Sequence, residues 1–194
     1  MSAEESPVAS AEAEAQLSIF TVSELHRELR QGEIITDLTE FLYNSGTELI
    51  QPLPHAYAVV LNQDCDLLWD FEHRNGGSGS RLHSVLFYIA ESTADKKAKV
   101  AGSDVWKRVA RNTDERYHVL SAVDPSRDLE KVGCPSLAID FKAFFTLPPD
   151  EVYRQIRSGT AKRRTRLDSQ YREHLQSRMA YYSQRVMLPQ PHKV

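Results

Sequence analysis

The sequence has little cysteine: among 194 residues only Cys65 and Cys134 carry a thiol. Two thiols cannot build the disulfide framework of a small secreted domain, so a reducing, cytoplasmic compartment is the expected setting. No apolar run approaches the ~20 residues of a membrane-spanning helix, so no membrane partner is expected. The N-terminus carries acids where a secretory signal would carry positive charge, and no apolar stretch follows them. Neither a C-x-x-C nor an H-x-x-x-H pair occurs. That disfavours zinc, and no metal or other cofactor is expected.

What is present fits an ordinary globular domain, with 41% hydrophobic and 26% charged residues. The length suits one domain with a sizeable core. The net charge of −3 is unevenly spread. Residues 1–18 hold Glu4, Glu5, Glu12 and Glu14 and almost nothing to bury, the composition of a disordered acidic leader. From Glu151 onward, ten Lys/Arg face only Glu151, Asp168 and Glu173. A basic end on an acidic body suits contact with an anionic partner.

Order is expected from residue 19. In "IFTVSELHRELRQG", Thr21 and Glu24 have capping-box spacing, and Gly32 stands where a helix would stop. The β-branched and aromatic run 33–43 predicts a strand, broken afterwards by Gly46, Pro52 and Pro54. "HAYAVVLNQ" (55–63) predicts a central strand, "HRNGGSGSR" a flexible loop, and 82–92 a third strand. A helix is expected over 94–111, despite Gly102, and two more strands over 116–123 and 136–147. A proline-started helix should cover 148–158. In the final segment Tyr171, Leu175, Met179 and Tyr182, with Val186 beyond, mark an amphipathic helix. Few of the strands are followed by a helix, which argues against parallel βαβ winding. The expected architecture is mixed β plus α: a small, strongly curved barrel over 19–158, then a basic linker and C-terminal helix over 159–194 packed on the same domain.

"GEIITDLTEF", "HAYAVVLNQD", "SVLFYIAEST" and "CPSLAIDFKAFFTLPPDEVYR", together spanning roughly 32–155, resemble the plan of the MazF/PemK-like toxins. Gly32-Glu33-Ile34 matches that family's opening strand. The resemblance implies an SH3-like barrel and RNA cleavage in a toxin-like or defence-like bacterial module. The family's catalytic arginine would fall near His55 or Ala56, where no arginine stands, and its threonine at Thr93.

Four residues form the candidate catalytic set: His55, Asp64, Asp66 and Thr93. On a strand exit Asp64 and Asp66 would face one way and Cys65 the other. Joined by His83 or His118, the two carboxylates could hold a divalent ion; alternatively they cap the backbone of a turn. Cys65 is expected to be a small core residue, because flanking acids raise a thiol's pKa and suppress nucleophilicity. Cys134 is expected in a turn, and His55, His83 and His118 as packed histidines. Lys162, Arg163, Arg164 and Arg166, extended by Arg172, Arg178 and Arg185, are the candidate contacts to RNA phosphates, and the run is expected to be exposed. The competing expectation is a non-catalytic subunit that docks a protein partner through Leu175, Met179 and Tyr182. Oligomeric state is left open.

Overall fold

The computed structural model describes residues 19–184. The acidic leader, Arg185 and Val186 lie outside the described residues. The strands are β1 (Phe20–Thr21), β2 (Glu33–Asn44), β3 (Leu49–Val60), β4 (Val85–Ser92), β5 (Tyr117–Leu120), β6 (Leu137–Leu147) and β7 (Lys162–Leu167). The helices are α1 (Asp64–Asn75), α2 (Thr93–Lys99), α3 (Ser103–Ala110), α4 (Pro149–Arg157) and α5 (Ser169–Ser183). All seven strands join one antiparallel sheet in the order β1-β7-β2-β3-β4-β6-β5. Among the described residues no ladder joins β1 to β5, so the sheet is open and not a closed barrel.

The sheet nevertheless coils strongly. The His55 ring on β3 stacks on Phe145 of β6 with centroids 4.2 Å apart, although β4 lies between those strands. Two strands removed in a flat sheet would be about 9.5 Å away.

Alternating residues feed two hydrophobic clusters, one on each face. Ile34, Val59, Tyr88, Ile139 and Phe141 pack with Leu175 of α5, and Met179 and Tyr182 lie against that cluster. Ile35, Ala58, Val60, Phe87 and Leu147 pack with Leu67 of α1 and Val152 of α4. Burying a leucine such as Leu175 or Leu67 stabilises the fold by about 2 kcal/mol each. The apolar stripe of α5 thus faces the protein's own sheet, which leaves little of it for docking.

Three expectations about elements are corrected. No helix forms over 22–31, because Arg163 draws the carbonyls of Leu25, Arg27 and Glu28 that a helix would need for itself. The expected helix 94–111 is two, since Gly102 adopts a φ of 90° between α2 and α3. The acid-rich stretch after β3 is neither strand nor turn: it opens α1. Asp64 and Asp66 occupy the first turn and His73 and Arg74 the last, the charge placement that a helix dipole favours.

The basic stretch 160–166 is likewise no exposed linker: its residues Lys162–Leu167 are β7, between β1 and β2 in the sheet. Arg163 is 2% exposed and donates to both oxygens of Glu33, at 2.6 and 2.9 Å. Arg164 reaches Asp128 through Nε and Nη2, at 2.8 and 2.7 Å, and the Gly133 carbonyl. Asp128 in turn accepts the N–H groups of Glu130, Val132 and Gly133, which fixes that loop. Each buried arginine is paired and hydrogen-bonded, the condition for burying such a charge.

Candidate functional site

β3 and β4 pair only where Tyr57–Val60 meet Phe87–Ala90. Beyond that point β4 stays with β6 as far as Ser92, while β3 stays with β2. Their divergence opens a cleft of about 490 Å³. Its walls are Pro54, His55, Ala56 and Tyr57 of β3, Ile89–Ser92 of β4, and Asp95, Ala98 and Lys99 of α2.

His55 is nearly buried, with Nε2 3.1 Å from the Glu40 carboxylate. Ser92 caps α2: its Oγ accepts the Asp95 N–H at 3.1 Å and donates to the Asp95 carboxylate at 2.6 Å. Glu91 is held by Lys99 and by Lys96. Burial pushes the Glu91 pKa up, but these two cations outweigh it and hold the carboxyl below its ordinary value. Lys96 also approaches Asp140 at 3.4 Å, and Arg116 grips that carboxylate at 2.8 and 2.6 Å, so α2 is anchored from behind. Among the lining residues the two acids, Glu91 and Asp95, outnumber the one cation, Lys99. Such a rim repels phosphates.

Only part of the candidate catalytic set meets here. His55 lines the cleft, and Thr93 follows the lining residue Ser92 at the start of α2, its N–H donated to the Ser136 carbonyl. Asp64 lies elsewhere. It accepts the Gln31 N–H at 2.8 Å and pairs with Arg172 of α5, so it clips the N-terminal segment and α5 to the start of α1. Asp66 is half-buried on the same helical turn. Cys65 is exposed, against the expectation of a core residue. Cys134 is buried, bridged to Val123 at a short antiparallel contact.

His83 is exposed on the loop before β4. His118 is buried on β5 beside His174 and Phe141, and its Nδ1 has no partner among the described residues. Burial first, then the charges of Arg178 and His174, push its pKa down to about 3. Among the described residues no three His, Cys, Asp or Glu side chains converge as metal ligands. Of the proposed phosphate contacts, Lys162 is exposed but paired with Glu130 at 2.8 Å, and Arg166 is half-buried. Arg178 donates to the carbonyls of Asn112, Asp114 and Tyr117, stapling α5 to the loop before β5. Among the described residues no helix is long and apolar enough to cross a membrane.

Sequence reasoning passed over the distal half of the β2–β3 hairpin. Past Leu38 and His55 the two strands pair only with each other, as far as Asn44 and Leu49. Phe41, Leu42, Tyr43, Leu49, Ile50 and Leu53 are all exposed there, Ile50 to 69%. Cross-strand pairing puts Phe41, Tyr43 and Ile50 on one face of this arm and Leu42, Leu49 and Leu53 on the other. Two signals could have found it: apolar residues at both parities over 41–53, and no Lys or Arg between Arg30 and Arg74.

No protein-family model, no curated protein and no solved structure matches the chain.

Proposed function

We propose that this protein is a non-catalytic, partner-binding subunit of SH3-like type, and that it works through the β2–β3 arm and the cleft at the arm's base. The carrying observation is the arm: six large apolar side chains exposed on both faces of a ribbon that projects from the sheet. Soluble proteins seldom leave such a continuous apolar surface without a binding role. The acidic rim of the cleft and the internal pairing of Arg163 and Arg164 weigh against RNA as the partner.

A second reading follows the resemblance to MazF/PemK-like toxins, with the coiled run β2-β3-β4-β6 as the toxin barrel and RNA as substrate. It draws support from one observation: His55, oriented by Glu40 as a general base would be, lies in the same cleft as Ser92, next to Thr93. On that reading the setting is a toxin-like or defence-like bacterial module.

One pair of measurements separates them. Incubation with single-stranded RNA should give neither cleavage nor steeply salt-dependent binding if the subunit reading holds. Cleavage that disappears in His55→Ala would establish the ribonuclease instead. Phe41→Asp combined with Tyr43→Asp should abolish partner association without lowering thermal stability, because both side chains are solvent-facing.

A further inference from the structure

The two long edges of the arm differ. On the β2 edge the Thr39 N–H and C=O point away from β3 and are taken by the Gln155 amide of α4, each at 2.8 Å. Backbone groups alternate in direction along a strand, so Phe41 and Tyr43 point theirs to the same side. Neither has a backbone partner there among the described residues. On the β3 edge the residues opposite Thr39 and Phe41 are Pro54 and Pro52, which carry no N–H. Proline on an outer edge blocks strand addition. The β3 edge is therefore interrupted by two prolines and offers only the groups of Ile50 near the tip, whereas the β2 edge is open at both Phe41 and Tyr43.

From this asymmetry we infer that the arm pairs edge to edge with the arm of a second copy of this chain, antiparallel about a two-fold axis through Leu42. This rests on the reading of the arm as an interaction surface and names its occupant. The open groups admit a single register. Pairing Phe41 with Phe41 of the second copy would place Tyr43 against Thr39, whose groups Gln155 already holds. Pairing Tyr43 with Tyr43 would push Phe41 past Asn44 into the turn. With Phe41 opposite Tyr43, each copy donates and accepts at both residues and every open group is used.

The side chains agree with that register. Aromatic faces aromatic twice, Leu42 faces Leu42 across the axis, and Glu40 faces Asn44, so no like charges oppose each other. Edge pairing extends the sheet in its own plane and covers only the edge-facing sides of Phe41, Leu42 and Tyr43, well short of the roughly 1,200 Å² of a stable interface, so the dimer is a reversible one.

Sedimentation equilibrium on the purified chain, with hydrogen exchange at two protein concentrations, tests this. The wild type should be a dimer that dissociates on dilution. Phe41→Pro removes an outward N–H but no ladder bond within the arm, and Leu42→Glu sets two carboxylates face to face at the axis. Each should weaken dimerisation about tenfold or more. Should Phe41→Pro fail to fold, Leu42→Glu carries the test, since Leu42 is exposed. The Phe41 and Tyr43 amides should be protected only at the concentration that favours dimer, and those of Glu40 and Leu42 at both. A monomeric wild type, a dimer indifferent to both substitutions, or concentration-independent protection at Phe41 and Tyr43 overturns the proposal. A monomer whose arm still captures a different protein, with capture lost in the arm variants, overturns only the choice of occupant; a monomer whose arm captures nothing overturns the interaction reading as well.

Discussion

Arg163 and Arg164 are adjacent on β7, yet their guanidinium groups lie against different acids on opposite faces of the sheet, Glu33 and Asp128. Arg164 is the extra residue where the ladder with β2 shifts register, between Ile34 and Ile35, and one dipeptide so ties down two separate loops. Substituting either arginine with glutamine strands a buried carboxylate and should cost about 3–5 kcal/mol. Lys162→Gln, on an exposed side chain, should stay within about 0.5 kcal/mol. Urea denaturation of the three variants separates this from the exposed phosphate-binding run that the sequence suggested, where all three would be neutral.

Acid should destabilise the protein in two stages. His118 keeps a pKa of about 3 when folded, below the ordinary 6.5. Between those values the unfolded chain binds a proton that the folded one refuses, so stability falls as pH drops from about 6.5, by at most roughly 1.4 kcal/mol per pH unit. Asp128 follows. Burial raises its pKa, but the Arg164 hydrogen bonds and the loop N–H groups outweigh that and bring it to about 2, from an ordinary 3.8. Its contribution is complete above 3.8 and is lost as pH falls toward 2. Chemical denaturation at pH 7, 6 and 5 should show the first slope, and His118→Phe should flatten it.

The two thiols should behave differently toward a disulfide reagent such as DTNB. Cys65 is exposed on the first turn of α1 and should react at once in the native protein. Cys134 is enclosed and its thiol pKa is pushed up by burial, so it should react only on unfolding. Cys65→Ser should remove the fast phase entirely; a fast phase that survives would mean that Cys134 is open to solvent.

Gln155 acts as a short substitute strand for Thr39. Gln155→Ala leaves a backbone N–H and C=O without partners and should cost about 1–3 kcal/mol. It also lengthens the open edge of β2, so the variant should self-associate more readily than the wild type. Thermal melts and static light scattering would show both effects, and lower stability without increased association would detach Gln155 from edge protection.

Local pattern carried much of the architecture. The strand expected over 136–147 is β6 from Leu137, the one over 82–92 is β4 from Val85, and the proline-started helix is α4. These segments obey their own periodicity, and tertiary structure only trims their ends. Residues 22–31 fail for the opposite reason: capping spacing favours a helix, but a guanidinium from β7 claims the carbonyls. The prolines of β3 also misled. Pro52 and Pro54 ordinarily argue against a strand, yet they are tolerated where a ribbon's outer edge needs no donors. For the candidate site, His55 and the neighbourhood of Thr93 were legible and share one cleft. Asp64 and Asp66 were legible as an acid pair but serve α1 and its clip to α5, and spacing alone cannot tell a strand exit from the first turn of a helix.

The long reach of Arg163 bears on how the chain is born. Its partners Leu25, Arg27, Glu28 and Glu33 precede it by 138, 136, 135 and 130 residues. During synthesis the segment before β2 must therefore wait, without its anchor, until β7, at least 130 residues later, has left the ribosome. Until then Glu33 has no cation to face, and β2 has no neighbour on one side. The nascent intermediate is one with an unpaired strand edge and an unsatisfied carboxylate, the kind of species that chaperones hold. A ribosome stalled before residue 163 would display it, and release of the remaining chain would let β7 close the sheet in a single late step.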